Sequence, residues 1–161
     1  MSQPPLYLIP GMSPEFPIYS GIVDLLPGAV IVDFIAPLPD ESLRAYAARM
    51  AGRFPAGCYI AGVSFGGILA LEISRLVRPA GCVVISSICE PAELPPWLRV
   101  WRLAGGAGCA GVLNLIGETA SLVPEPVRTG STLRLTKLAG ERGAWHRWAT
   151  SAVLDWEPDP E

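Results

Sequence analysis

Histidine is almost missing from this sequence: His146 is the only one among 161 residues. Charge is sparse as well. Charged side chains make up 17%, 15 acidic against 12 basic for a net charge of −3, and they form no basic cluster. Such a chain has no electrostatic footprint for nucleic acid or for an anionic membrane surface. The four cysteines, Cys58, Cys82, Cys89 and Cys109, show no C-x-x-C spacing. That argues against a zinc site or a disulfide framework, and it makes Cys58 and Cys82, in or beside apolar strands, reduced core thiols of a cytoplasmic protein. No metal and no cofactor is expected. Long uncharged apolar runs are also lacking. Trp97 to Gly117 comes nearest to membrane length but carries Arg99 and Arg102, whereas a spanning helix needs about 18 or more apolar residues with few charges. Met1 to Pro5 has no basic n-region, and Leu6 to Pro10 is too short for a signal peptide.

What the chain does have is apolar content, 50% of its residues, enough for one core-rich domain. In the first 90 residues strand and helix patterns alternate. Leu6–Ile9 is a short apolar run closed by Pro10-Gly11, and Ile18, Ile22, Leu25 and Leu26 follow on one helical stripe that stops at Pro27-Gly28. Ala29 to Phe34 is rich in β-branched residues. Asp40 suits an N-cap for a helix whose apolar face is Leu43, Tyr46, Ala47, Met50 and Phe54. Cys58 to Ala61 reads as a third strand, Gly67 to Arg75 as a third helix, and Cys82 to Ser86 as a fourth strand. Four apolar strands alternating with helices predict a doubly wound α/β layer, its sheet mostly parallel and buried on both faces. Residues 1–90 would form this core. From 91 to 161 prolines and five tryptophans predict a helical cap or lid and a terminal linker within the same domain; the last helix carries Trp145, Trp148, Ala149, Ala152, Val153 and Trp156 on one stripe.

The third strand runs into Gly62-Val63-Ser64-Phe65-Gly66-Gly67. A G-x-S-x-G serine on a sharp strand-to-helix turn is a nucleophile elbow, where glycines relieve a strained backbone. In parallel α/β sheets ligands gather at the carboxyl ends of the strands, which is where Gly11-Met12, Ser64 and Ser87 to Glu90 fall. A second glycine motif, Gly106 to Gly111, matches G-x-G-x-x-G. It follows a helical pattern rather than a strand, so it reads as a hinge in the cap and not as a dinucleotide site.

On Leu8-Ile9-Pro10-Gly11-Met12, on Gly62 to Gly67 and on the helical segment after the fourth strand, the chain resembles a small esterase or thioesterase-like member of the α/β-hydrolase superfamily. The resemblance implies Ser64 as nucleophile, the backbone N–H groups of Met12 and Phe65 as oxyanion hole, and Gly62, Gly66 and Gly67 as the glycines of the elbow. It implies a small acylated substrate and no cofactor. A triad would add an acid and a histidine. Glu90, after the fourth strand, is the candidate acid, its plainer reading being a solvated loop carboxylate. His146, off the apolar stripe of its helix, reads as a surface residue, and Asp33 as a loop contact. Asp155 to Glu161 resembles a linker leading from a cap into a further strand. The resemblance therefore implies a hydrolase that ends after its cap and is inactive or very weak as this chain. The alternative is a non-catalytic binding or interaction protein of the same fold, or a truncated gene product. An open edge on the fourth strand would favour self-association.

Overall fold

The computed structural model describes residues 3–13, 18–94 and 139–157, with side chains in the last stretch from 143 onward. Gly106 to Gly111, Cys109, Trp97 and Trp101 lie outside the described residues. The chain divides into two compact units, Met1–Glu93 with Trp156–Glu161, and Leu94–Asp155.

The first unit is an α/β layer. Its elements are β1 (Leu6–Ile9), α1 (Ser20–Val23), β2 (Ala29–Ile31), α2 (Leu43–Ala51), β3 (Tyr59–Val63), α3 (Phe65–Val77) and β4 (Gly81–Ile85), followed by a 3₁₀ turn at Pro91–Glu93. The four strands form one parallel sheet in the order β2-β1-β3-β4. The register sets Leu8 beside Ala61 and Ile31, and Ala61 beside Val83. Because side chains alternate along a strand, Tyr7, Ile60 and Val84 face one side and Leu8, Ala61 and Val63 the other. Helices α2 and α3 cover the first side: the Phe54 ring lies 5.0 Å from that of Tyr7, and α3 packs along β3 and β4. On the second side Tyr19 closes over Leu8, Ala61 and Val63.

Burial on both faces holds for the inner strands and fails for the outer ones. Val30 and Ile31 of β2 are exposed, as are Cys82, Val83 and Ile85 of β4; Val83 shows 55% of its surface. Cys82 is thus no core thiol but is exposed on the outer strand β4, while Cys58 is buried and burial pushes its thiol up. Among the described residues β4 is an edge strand. The expected stripe of Ile18, Ile22 and Leu25 is exposed too, since α1 is a single turn. β2 stops at Ile31, with one further ladder bond from the Val32 N–H to the Leu8 carbonyl at 2.9 Å.

Helix α2 is capped by Ser42 rather than Asp40: the Ser42 hydroxyl accepts the Ala45 N–H at 3.2 Å. Asp40 sits two residues upstream with φ 54°, in the turn that swings Glu41 toward Arg49. Arg49 grips both Glu41 oxygens, at 2.6 and 2.8 Å, and also donates to the Ala36 carbonyl at 2.8 Å. That hydrogen bond holds the Glu41 carboxyl below its ordinary value. The whole β2–α2 connection is thereby tied to α2.

Glu72 is the one buried charged residue among those described. Its carboxylate accepts the Arg75 guanidinium at 2.8 Å and the Trp156 indole N–H at 2.9 Å, with Arg44 at 3.7 Å. A buried carboxylate is tolerable only when its lone pairs are satisfied. Trp156 does not continue the last helix, α4 (Ala139–Leu154); it is buried in the first unit on Glu72. Among the described residues no helix is long and apolar enough to cross a membrane, and no cluster of His, Cys, Asp and Glu could hold a metal ion.

Tyr46, fully buried on α2, donates its hydroxyl to the Ile35 carbonyl at 2.9 Å and accepts the Ile35 N–H at 3.1 Å. Burial pushes its phenol from 10.0 up to about 12. A raised folded-state value makes this contribution complete below the unfolded value and lost as pH climbs through the folded one. Denaturant unfolding should therefore show stability falling between about pH 10 and 12 more steeply in the wild type than in Tyr46→Phe. At neutral pH the variant should be less stable by about 1–3 kcal/mol, because Ile35 loses both partners.

Candidate active site

The strand β3 delivers the chain to the carboxyl edge of the sheet at Val63, and α3 begins at Phe65. Ser64 makes the whole turn. Its φ of 52° and ψ of −123° place a residue with a Cβ where glycine is usually required, a costly conformation that persists only if its surroundings enforce it. They do so through its backbone. The Ser64 N–H donates to the Ile85 carbonyl at 2.9 Å, the Gly67 N–H donates to the Ser64 carbonyl at 2.8 Å, and the Ser87 hydroxyl donates to the same carbonyl at 2.6 Å. The Ser64 side chain does not cap α3, and the residue is exposed. The serine hydroxyl is thus presented at the strand ends.

The glycines show why α3 can start so abruptly. A Cβ on Gly62 would overlap the Gly66 carbonyl, and one on Gly66 would overlap the carbonyl oxygens of Ile9 and Pro10. A Cβ on Gly67 would sit 2.6 Å from the Ser87 Cβ and 3.1 Å from a Val84 methyl. The first turn of α3 is therefore laid backbone against backbone on the end of β1. Gly11 differs. A Cβ there would lie 3.7 Å from the Ser64 Cβ, in ordinary contact, which places the β1–α1 loop beside the serine. Met12 follows it, half-buried.

Two aromatic residues steady this corner. The Tyr19 hydroxyl donates to the Ile9 carbonyl at 3.0 Å, and burial pushes its phenol up. Phe65, buried at the start of α3, meets Phe34 edge-on at 5.9 Å. Ser64, Phe65 and the elbow glycines thus share one turn, with Gly11 beside Ser64 and Met12 next in the chain. Sequence reasoning missed the part played by Tyr19 and by Ser87; the only signal for Ser87 was its place at the end of β4.

The remaining candidates are Glu90, Asp33 and His146. Glu90 is exposed before the 3₁₀ turn, its carbonyl accepting the Glu93 N–H at 3.0 Å. Asp33 is exposed, and its carbonyl takes a hydrogen bond from Arg53. His146 lies on α4 and is half-buried, not a fully exposed surface residue. The reason is its position one turn before Ala149, so that it shares the buried side of the helix formed by Ala149 and Ala152.

No family model matches this chain, and no curated protein does. Among solved structures it is similar to the type II thioesterase BorB from the borrelidin biosynthetic cluster, with a TM-score of 0.63 at 14% identity, covering 99% of this chain and 68% of that one. The fold is like that of a thioesterase. The likeness is consistent with an α/β-hydrolase-like sheet, and at that identity it is a likeness of fold alone.

The close approach at the elbow yields a contrast between glycines. Gly62→Ala and Gly66→Ala should each lose about 3 kcal/mol or more, since backbone oxygens cannot yield as a side chain can. Gly11→Ala should stay within about 1 kcal/mol of wild type. Thermal unfolding of the three variants checks the ranking.

Proposed function

We propose that this protein is a hydrolase acting on carboxylic thioesters or esters, with Ser64 as nucleophile. The observation that carries the reading is the strained backbone of Ser64 at a strand-to-helix turn, which is what an elbow needs to lift its hydroxyl clear of the sheet. The likeness in fold to a type II thioesterase supports the acyl class and favours the thioester. In this reading the Ser64 hydroxyl oxygen bonds to the acyl carbon and the thiol or alcohol leaves with a proton. Water then releases the acid and restores the serine. The Met12 and Phe65 N–H groups hold the tetrahedral oxyanion, an arrangement worth roughly 10²–10³ in rate for each donor. The substrate is a small acylated molecule.

Both steps need a base within hydrogen-bond reach of Ser64, and the sequence holds a single imidazole, on His146. An elbow and oxyanion hole acting without an imidazole retain roughly 10³–10⁴ over water. Without an imidazole both steps are slow, and release of the acyl-serine by water is the slower, so the acylated form accumulates with an activated ester. Incubated with p-nitrophenyl acetate, the 161-residue chain should take up one acetyl group slowly, with negligible steady turnover. Peptide mass mapping should find the acetyl on Ser64, and Ser64→Ala should abolish it. Acetylation that persists in Ser64→Ala would refute the nucleophile and leave a binding protein of hydrolase fold. Rapid turnover lost in Ser64→Ala and in His146→Ala would make His146 the base.

A further inference from the structure

Two residues at the end of β4 remain unexplained by packing alone. Ser86 has φ 47°, a left-handed conformation for a residue with a Cβ. It reverses the chain directly after Ile85, the residue whose carbonyl accepts the Ser64 N–H. The reversal brings Ser87, half-buried, back over the elbow, where its hydroxyl donates to the Ser64 carbonyl at 2.6 Å. The same side chain fills the space beside Gly67 that a Cβ there would need. The peptide units on either side of Ser64 are therefore both held by one short stretch, Ile85 to Ser87: its N–H by a main-chain carbonyl and its C=O by a hydroxyl.

We infer that Ser87 is a positioning residue: its hydroxyl fixes the Ser64 carbonyl and so keeps the nucleophile in its strained, outward-facing conformation. The physical argument is one of over-determination. A left-handed serine relaxes by rotating the peptide unit that follows it. That unit carries the Ser64 carbonyl and the Phe65 N–H together, so its rotation would turn one oxyanion donor away from the hydroxyl. The Gly67 N–H already binds that carbonyl from within α3, but it moves with the helix. Ser87 binds it from a different strand and ties its orientation to the sheet. The role of Ser87 in acyl transfer rests on Ser64 being the nucleophile; its hold on the elbow does not.

Two measurements on the full chain separate these claims. The first is the rate at which p-nitrophenyl acetate acetylates Ser64 in the wild type, Ser87→Ala, Ser87→Thr and Ser64→Ala. The second is amide hydrogen exchange at Ser64 and Gly67, with Leu8 and Ile60 as reference amides of the inner strands. Loss of the hydroxyl should slow acetylation about fivefold, the equivalent of one hydrogen bond of about 1 kcal/mol, and speed exchange at Ser64 and Gly67 by a similar factor. The reference amides should stay unchanged, and Ser87→Thr, which keeps a hydroxyl, should restore both readouts. Wild-type acetylation and exchange in Ser87→Ala, or failure of Ser87→Thr to restore them, would overturn the inference. If acetylation is absent or survives Ser64→Ala, the nucleophile is refuted, and exchange alone decides whether Ser87 holds the elbow.

Discussion

The structure turns on one close approach: the first turn of α3 lies directly against the end of β1. Gly66 rests on the carbonyls of Ile9 and Pro10, and Gly62 rests on Gly66. With no side chains between them, helix and strand meet through backbone alone, and Ser64 is left to make a turn that its Cβ disfavours. The parallel register of β1 with β3, Ile9 beside Gly62, is what brings the two together. Everything proposed about chemistry follows from this contact, because it sets the serine and the β1–α1 loop side by side.

Much of this was legible in advance, for physical reasons. Buried parallel strands are short, continuous apolar runs, and Leu6–Ile9 and Cys58–Ala61 read as such, the second ending two residues short of the observed Tyr59–Val63. Glycine has few reasons to cluster between an apolar run and a helix, so Gly62, Gly66 and Gly67 marked the elbow. Local patterns misled where two readings were equally good. Asp40 and Ser42 are both fit to cap a helix; in the structure the Ser42 hydroxyl takes the Ala45 N–H, and Asp40 lies in the preceding turn. Apolar spacing gave α1 a packed stripe, yet the helix is one turn long and cannot bury it.

What the sequence could not display are contacts between distant residues. Ser87 reaches Ser64 across 23 positions, and Trp156 reaches Glu72 across 84. Glu72 lies within an apolar helix, where a carboxylate reads as a solvated interruption. In the structure it is buried and satisfied by Arg75 and Trp156, so the one acidic side chain of α3 fastens Trp156 to the first unit. Tyr46 and Tyr19 act alike on a smaller scale, each trading its hydroxyl against a backbone carbonyl at the end of a strand or in the following loop. Polar anchors of this type leave no periodic signature.

The central claim is that the elbow binds a tetrahedral acyl intermediate at Ser64. A crystal structure of the chain soaked with an alkyl boronic acid tests it most directly, since boron bonded to a serine oxygen mimics that intermediate. Boron should attach to the Ser64 hydroxyl oxygen, with one boronate oxygen in hydrogen-bond range, roughly 2.7–3.1 Å, of the Met12 and Phe65 N–H groups. A boronate bonded elsewhere, or at Ser64 with both donors turned away from it, would show that Ser64 and this oxyanion hole do not act together.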